Sequence, residues 1–259
     1  MLKFPKKLSF NGYFPTQKSL FSVAEKVQNK KTLFIDLGLI PYKEAWDYQE
    51  KLFDEIVQLK REISDGKTDV KTTNNYLIFC EHKHVYTLGK SGSSDNLLLN
   101  HIQLQANDAE FYHIDRGGDI TYHGPGQIVG YPILNLDYFV SGVRDYIYKL
   151  EESVILLLKD FGIKSERLEG ATGVWLETGT ARVRKICAIG VRTSRWVSMH
   201  GFAFNVNTNL NYFNYINPCG FKDKAVTSLE KELGKEQDIE SIKDKLKEKI
   251  AMVFGMELV

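Results

Sequence analysis

The chain has few cysteines, no long apolar run and no excess of charge of either sign. Its 259 residues hold three cysteines at wide spacing with no Cys-x-x-Cys pair, which excludes a disulfide framework and a zinc knuckle. The longest aliphatic run, Val154 to Leu158, is far shorter than the ~20 residues of a membrane-spanning helix. Lysine and arginine total 34 against 33 acidic residues, so the net charge does not indicate nucleic acid. We expect a cytoplasmic protein with no membrane span and no nucleic-acid partner.

The apolar pattern predicts one α/β domain with a mixed β-sheet flanked by helices. Helices are predicted from Pro41 to Ile63, from Val143 to Phe161 and from Asp238 to Phe254. Strands are predicted at Leu33–Leu37, Tyr76–Cys80, Val85–Leu88, Gln127–Leu136, Gly173–Glu177, Lys185–Arg192 and Phe202–Val206. Within the fourth strand Pro132 indicates an edge or a break. The Lys and Glu residues of the last helix are interpreted as a solvated outer face.

The first 31 residues differ from the rest in charge. They contain seven lysines and one acidic residue, Glu25, and no apolar stretch of the kind found in a secretory signal. We interpret residues 1–31 as a basic N-terminal extension and residues 32–259 as a single catalytic domain.

Glycines are densest in Arg116-Gly-Gly-Asp-Ile-Thr-Tyr-His-Gly-Pro-Gly-Gln127. The dinucleotide motif Gly-x-Gly-x-x-Gly fails there by one residue, and Gly89-Lys90-Ser91 lacks the first glycine of a phosphate-binding loop. Because glycine lets the backbone approach a ligand closely, the stretch is either part of a binding groove or a plain pair of turns. In a groove, Thr121 and Tyr122 would form a wall and His123 a polar contact.

One cysteine stands out from the other two. Cys219 lies in Asn217-Pro-Cys-Gly220, a sequence that predicts a turn. A thiol on a turn can be accessible for attack, but on this evidence alone a half-buried turn cysteine is the preferred interpretation. Cys80 and Cys187 lie in apolar, strand-like sequence and are expected to be buried and inert. His82 and His84 would share a strand face where two zinc ligands could lie, but no further ligand follows at a telling spacing, so we expect no metal site.

Five sequence blocks taken together resemble one family, the octanoyl-[acyl-carrier-protein]:protein N-octanoyltransferases of lipoate synthesis. In chain order, the blocks are Glu81-His-x-x-Val-Tyr-Thr-Leu-Gly89, Arg116 to Gln127, Lys185-Ile-Cys-Ala-Ile-Gly190, His200-Gly-Phe-Ala-Phe-Asn-Val206 and Ile216-Asn-Pro-Cys-Gly220. They extend over roughly Asp36 to Leu229, and the family core would span about residues 71–248. The resemblance implies the catalytic fold of biotin/lipoate protein ligases with an acyl tunnel.

The resemblance also implies a reaction and its residues. An octanoyl group would pass from octanoyl-acyl carrier protein to one lysine of a lipoyl domain, in 2-oxoacid dehydrogenase E2 subunits or the glycine cleavage H protein, with no cofactor. Cys219 would be the nucleophile and Lys185 its partner in deprotonation. The implied substrate-binding residues are Arg116, Gly117, Gly118, Asp119, Ile120, Thr121, Tyr122, His123, Ala188, Ile189, Gly190, Gly201, Phe202 and Ala203. Phe202 and Phe204 replace the smaller aliphatic residues usual in the family, which would change the bore of the tunnel.

Three other functions compete with this interpretation. An ATP-dependent lipoate or biotin ligase would share the fold, but its Arg-Arg-x-Ser-Gly-Gly-Gly pattern is absent. A Cys–His hydrolase would pair Cys219 with His123 or His200, and a non-catalytic module would only bind acylated proteins. The chain is expected to be a monomer.

Overall fold

The computed structural model describes residues 28–217 and 225–259. Its strands are β1 (Lys31–Leu39), β2 (Tyr76–Glu81), β3 (Val85–Leu88), β4 (Glu110–His113), β5 (Ile120–His123), β6 (Gln127–Ile133), β7 (Glu166–Leu168), β8 (Ala171–Leu176), β9 (Arg184–Ser194), β10 (Val197–Asn205), β11 (Ala225–Val226) and β12 (Glu257–Leu258). Its helices are α1 (Tyr42–Ser64), α2 (His101–Ala106), α3 (Val143–Asp160), α4 (Leu229–Leu233) and α5 (Ile239–Phe254). The predicted basic extension, residues 1–31, falls almost wholly outside the described residues.

The strands form one large mixed sheet and one small sheet. The large sheet has the order β12-β1-β2-β6-β10-β9-β8-β7, and β11 pairs with β9. The small sheet has the order β4-β3-β5. β1 is parallel to both of its neighbours, whereas β2, β6, β10, β9 and β8 pair antiparallel. The predicted single α/β domain with a mixed sheet is confirmed.

Helices cover both faces of the large sheet because its strands carry apolar side chains on both faces. Leu77 and Phe79 of β2 belong to the core cluster that contains residues of α3 and α5. Ile78 and Cys80, which point to the opposite face, belong to the cluster formed with α1. The predicted helix boundaries hold closely, since Pro41 precedes α1 and the Asp238 side chain accepts hydrogen bonds from two amides of the first turn of α5.

The expectation that Pro132 lies on an edge strand was wrong. The expected break in pairing is present, but only between β6 and β10. β6 lies inside the sheet, and Pro132 pairs with Leu77 of β2. On the other side, the β10 ladder runs from Asn205 only as far as Phe202, which pairs with Gly130. Pro132 thus lies beyond the last paired residue on that side, where its lack of an amide hydrogen leaves no ladder bond unmade.

The last helix is not solvated on its whole polar face. Lys243 of α5 is 4% exposed, and its Nζ lies 2.8 Å from Glu240 Oε1 and 3.1 Å from Asp36 Oδ2. The periodicity of α5 predicts which residues lie on its polar face. It does not predict that Lys243 is buried, because the carboxylate of Asp36 that pairs with it comes from β1. No helix in the described parts of the chain is long and apolar enough to cross a bilayer.

Candidate active site

A pocket opens between the large sheet, the small sheet and the start of α1. Its cavity volume is about 50 Å³, and about 410 Å³ when the open space at its mouth is included. The residues that line it are Tyr42, Arg116, Thr121, His123, Val129, Tyr131, Ala188, Ile189, Gly190, His200, Gly201, Phe202 and Ala203.

The floor of the pocket is built from small residues on neighbouring strands. Ala188 pairs with Ala203, and Gly190 pairs with Gly201, across β9 and β10. Residues two apart on a strand point to the same face, and directly paired residues share a face. These four residues therefore form one flat patch over which a narrow apolar chain can lie.

Arg116 crosses one side of this patch and is held by two backbone carbonyls and one hydroxyl. Its Nη2 donates to Thr87 O at 2.6 Å and to Thr87 Oγ1 at 3.0 Å, and its Nη1 donates to Gly117 O at 3.1 Å. A Cβ at Gly190 would lie 2.9 Å from Gly117 O and 3.1 Å from Arg116 Cδ, so glycine is needed for the arginine to pass. Nε of Arg116 is buried with no hydrogen-bond partner among the described residues, and burial lowers the pKa of the guanidinium.

His123 presents a neutral ring to the pocket. Its Nδ1 lies 2.8 Å from Gln127 Oε1, and Gln127 Nε2 donates to Asn205 Oδ1 at 2.9 Å. Because the amide nitrogen of Gln127 is committed to Asn205, its oxygen accepts from His123, which assigns the proton to Nδ1. Burial first, and then the neighbouring His82, lower the pKa of His123 to about 3.

A second buried histidine lies behind the pocket. His82 Nδ1 donates to Ile40 O at 2.9 Å, and the Tyr131 hydroxyl donates to His82 Nε2 at 2.7 Å. Burial lowers the pKa of His82 to about 4. His82 and His84 lie in the turn between β2 and β3 and not on a strand face, since β2 ends at Glu81 and β3 begins at Val85. His84 Nδ1 lies 2.7 Å from the Tyr122 hydroxyl. In the described parts of the chain, no three His, Cys, Asp or Glu residues are grouped so as to hold a metal ion.

A charged cluster closes the other side of the pocket. His200 Nε2 donates to Asp115 Oδ1 at 3.0 Å, and Arg192 Nη1 lies 2.6 Å from Asp115 Oδ2. The hydrogen bond from His200, with the Arg192 charge, lowers the pKa of Asp115. His200 is fully enclosed and has a φ of +59°, a conformation that is uncommon outside glycine and is concentrated at functional sites.

The family description "Lipoyl protein ligase A/B catalytic domain" matches residues 41–251. The chain belongs to this family of enzymes. It is 56% identical over 231 residues to a protein of Christiangramia forsetii named octanoyltransferase, which covers 89% of this chain and 98% of that protein. An octanoyltransferase of Flavobacterium johnsoniae is 56% identical over 232 residues, 89% of this chain and 100% of that protein.

The fold agrees with the sequence match. The bi-partite lipoate protein ligase of Thermoplasma acidophilum aligns with a TM-score of 0.63 at 12% identity, covering 90% of this chain and 86% of that chain. At this identity the likeness concerns the fold, which is that of the lipoate protein ligase catalytic domains.

Nine of the fourteen substrate-binding residues named from the resemblance line the pocket. The other five lie behind it. Gly117 donates its amide to Val191 O at 2.9 Å. Gly118, with a φ of +93°, and Asp119 form the loop beneath Arg116. Ile120 and Tyr122 point into an apolar cluster of the small sheet.

The two proposed catalytic residues differ in what the structure describes. Lys185 lies near the start of β9, and its Nζ is 4.5 Å from the centre of the Trp175 ring. Cys219 lies outside the described residues. Cys80 and Cys187 are fully buried, as expected, and burial raises the pKa of both thiols.

Three lining residues were not among the sequence-based candidates. Val129 and Tyr131 are two apart on β6, so the alternation of a strand that carries the Gln127 motif could have indicated them. Tyr42 follows Pro41 at the start of α1 and reaches the pocket from 81 positions before His123. Its ring lies parallel to that of His123 at 6.0 Å, a contact with no local sequence signal.

Proposed function

We propose that the chain transfers an octanoyl group from octanoyl-acyl carrier protein to a lysine of lipoyl domains, through a thioester on Cys219. The acceptors would be the lipoyl domains of 2-oxoacid dehydrogenase E2 subunits and the glycine cleavage H protein. The observation that carries the proposal is the 56% identity to octanoyltransferases over nearly their whole length. The reaction would take place in the cytoplasm with no cofactor.

In the first half-reaction the Cys219 thiolate attacks the carbonyl carbon of the donor thioester. A new carbon–sulfur bond forms to Cys219, and the bond to the carrier sulfur breaks. The carrier leaves as a thiolate and takes up the proton that Cys219 lost. Exchange of one thioester for another changes the bond energy little, so the acyl-enzyme stays reactive.

In the second half-reaction the ε-amine of the acceptor lysine attacks the Cys219 thioester. The amide bond forms, the Cys219 sulfur leaves as a thiolate, and the amine releases one proton. Lys185, once neutral, would accept that proton. When charged, it would stabilise the thiolate at Cys219 before the first half-reaction, since a nearby cation favours the ionised thiol.

The pocket supports an acyl substrate. Its floor of alanine and glycine leaves room for a narrow chain, and Val129, Ile189 and Phe202 add apolar surface. At ~0.8 kcal/mol per buried methylene, six methylenes would contribute roughly 5 kcal/mol of binding free energy. Arg116 Nε, which has no partner among residues 28–217 and 225–259, and the neutral ring of His123 would supply polar contacts for the remainder of the substrate.

Intact-mass spectrometry tests the proposal. Mixing the enzyme with octanoyl-carrier protein, without ATP and with EDTA present, should add one octanoyl group, and a lipoyl domain should then remove it. Cys219→Ser should abolish both steps, whereas Cys80→Ala and Cys187→Ala should retain them because both thiols are buried. Octanoylation that requires ATP would favour a ligase, and acyl loss to water without an acceptor would favour a hydrolase.

A further inference from the structure

Two buried amide side chains continue the small-residue floor of the pocket. Asn205 lies two residues after Ala203 on β10 and therefore points to the same face of the sheet. It is paired with Gln127 of β6, so the two side chains lie side by side. Asn205 is 4% exposed and Gln127 is 1% exposed. Amides buried this deeply need hydrogen-bond partners within the protein, and those partners determine which way each amide faces.

Two backbone carbonyls fix the orientation of both amides. Thr227 O can only accept, so the atom of Asn205 that faces it at 3.0 Å is Nδ2. Asn205 Oδ1 then accepts from Gln127 Nε2 at 2.9 Å, and the same Nε2 donates to Tyr122 O at 3.2 Å. Gln127 Oε1 is left to accept from His123 Nδ1 at 2.8 Å. The His123 ring therefore carries its proton at Nδ1 and has an acceptor lone pair at Nε2.

The same asparagine anchors the chain beside Lys185. Thr227 directly follows β11 and is fully buried, and its amide donates to Lys185 O at 2.9 Å. β11 itself comes directly after residues 218–224 in the chain and pairs with β9. Asn205 therefore links the pocket histidine to the strand that follows Cys219 in the sequence.

We infer that Asn205 is a positioning residue for the reaction, because its side chain holds both His123 and the strand beside Lys185. This role depends on the proposed octanoyl transfer. In the second half-reaction the attacking amine of the acceptor carries N–H groups, and the lone pair of His123 Nε2 would accept one of them and orient the amine. Burial lowers the pKa of His123 to about 3, so this lone pair is present at neutral pH.

Asn205→Asp tests the link to Thr227. A carboxyl group has the shape of the amide, and in its protonated form it can donate to Thr227 O while it accepts from Gln127. In its ionised form it has no proton to donate, and it repels the carbonyl oxygen. Burial raises the pKa of such a carboxyl group by up to about 3–5 units. The ratio of the variant's octanoyl-transfer rate to that of the wild type should fall at least about tenfold as the pH rises from about 5 to about 9.

The neighbouring charged groups keep their charge over this range. The Thr227 hydroxyl donates to Glu232 Oε1 at 2.5 Å, and Glu232 Oε2 lies 2.7 Å from Arg184 Nη2. The hydrogen bond from Arg184 lowers the pKa of Glu232. Titration of Cys219 and Lys185 is common to both enzymes and is removed by taking the ratio.

Two leucine variants separate positioning from a general loss of stability. Asn205→Leu removes both hydrogen bonds at every pH, so kcat should be at least about tenfold lower while KM for octanoyl-carrier protein stays within about twofold. Asn207→Leu is the matched control. The Asn207 side chain also makes two hydrogen bonds, to the carbonyl and the amide of Gln237, but it does not line the pocket. Its loss should leave kcat and the pH dependence unchanged.

Nitrogen-15 NMR of the wild type gives a readout that does not depend on activity. Two-bond correlations within the ring should show His123 with a proton on Nδ1 and none on Nε2 near neutral pH. This spectrum decides the question even if the Asn205 variants do not fold. A proton on His123 Nε2, or an Asn205→Asp rate ratio that does not change with pH, would overturn the inference. Failure of the proposed function is distinct, since the wild type would then form no octanoyl-enzyme whatever the His123 spectrum shows.

Discussion

Lys185 and Val226 are paired across two parallel strands, β9 and β11. The amide of Thr227 donates to Lys185 O at 2.9 Å, and the amide of Ala225 donates to Val183 O at 3.3 Å. The chain is therefore beside Lys185 directly after residues 218–224, which include Cys219. The ammonium of Lys185 also contacts the face of Trp175, an arrangement that stabilises a cation.

Lys185→Met is expected to make Cys219 a weaker nucleophile. In the proposed mechanism Lys185 is the cation beside the Cys219 thiol, so its removal should destabilise the thiolate and raise the pH midpoint of Cys219 alkylation by about one unit. The alkylation rate at pH 7 should fall about tenfold, in proportion to the thiolate fraction. The measurement is an iodoacetamide rate–pH profile read by peptide mass spectrometry.

Two further variants separate the effect of the Lys185 charge from its role as a base. Lys185→Arg keeps a cation but cannot accept a proton at working pH, so it should restore much of the alkylation rate while octanoyl transfer stays low. Lys83→Met, at an exposed position before β3, should behave as the wild type. An unchanged midpoint and transfer rate in Lys185→Met would exclude Lys185 as the base, and His123 would be the next candidate.

His82 and His123 make the fold less stable in mild acid. The pKa of each is lowered, to about 4 and about 3, from an unfolded value near ~6.5. Below pH 6.5 the unfolded chain binds protons that the folded chain does not, so the free energy of unfolding falls as the pH falls. At pH 5 each histidine should remove about 2 kcal/mol relative to pH 7.

Urea unfolding of the wild type and His123→Gln at pH 7 and pH 5 measures this contribution. The glutamine variant should lose about 2 kcal/mol less than the wild type between the two pH values, whatever its stability at pH 7. His113→Gln, at an exposed site, should show the wild-type loss. Equal losses in the wild type and His123→Gln would mean that the folded protein protonates His123 between pH 7 and pH 5 as readily as the unfolded chain does.

Local sequence predicted the elements and several pocket residues because the responsible forces are local. Apolar runs such as Tyr76–Cys80 favour strands, and proline at position 41 favours a helix start. Glycine density from Arg116 to Gln127 indicated a possible binding groove, and Arg116, Thr121 and His123 of that stretch line the pocket.

Local sequence patterns could not predict contacts between segments that are distant in the sequence. Tyr42 reaches His123 only because the small sheet packs over the start of α1. The hydrogen bond between His200 and Asp115 depends on the position of Asp115, directly before Arg116, and on the positive φ of His200. The residues next to His200 in the sequence do not predict that φ. These features required the arrangement of the two sheets, which periodicity does not contain.

Lys243 joins the last helix to the turn that carries the pocket histidine. Its Nζ lies 3.7 Å from Glu81 Oε1, and Glu81 Oε2 accepts the amide of Gly126 at 2.8 Å. Asp36 and Glu240 complete its set of carboxylates. Burial would lower the pKa of Lys243, but the hydrogen bonds to Glu240 and Asp36 outweigh it and raise the pKa.

Lys243→Met should therefore destabilise the fold by about 3 kcal/mol, because it leaves Asp36 and Glu81 without their buried cation. Since the folded pKa is raised, the stabilisation is complete below the unfolded value of ~10.4 and is lost only as the pH rises through the folded value. The difference in unfolding free energy from the wild type should thus be the same at pH 6 and pH 8. Lys247→Met, which removes an ion pair to the exposed Asp244 on the same helix, should change stability by less than about 1 kcal/mol. Similar small losses in both variants would show that the Lys243 cluster contributes no more than a surface ion pair.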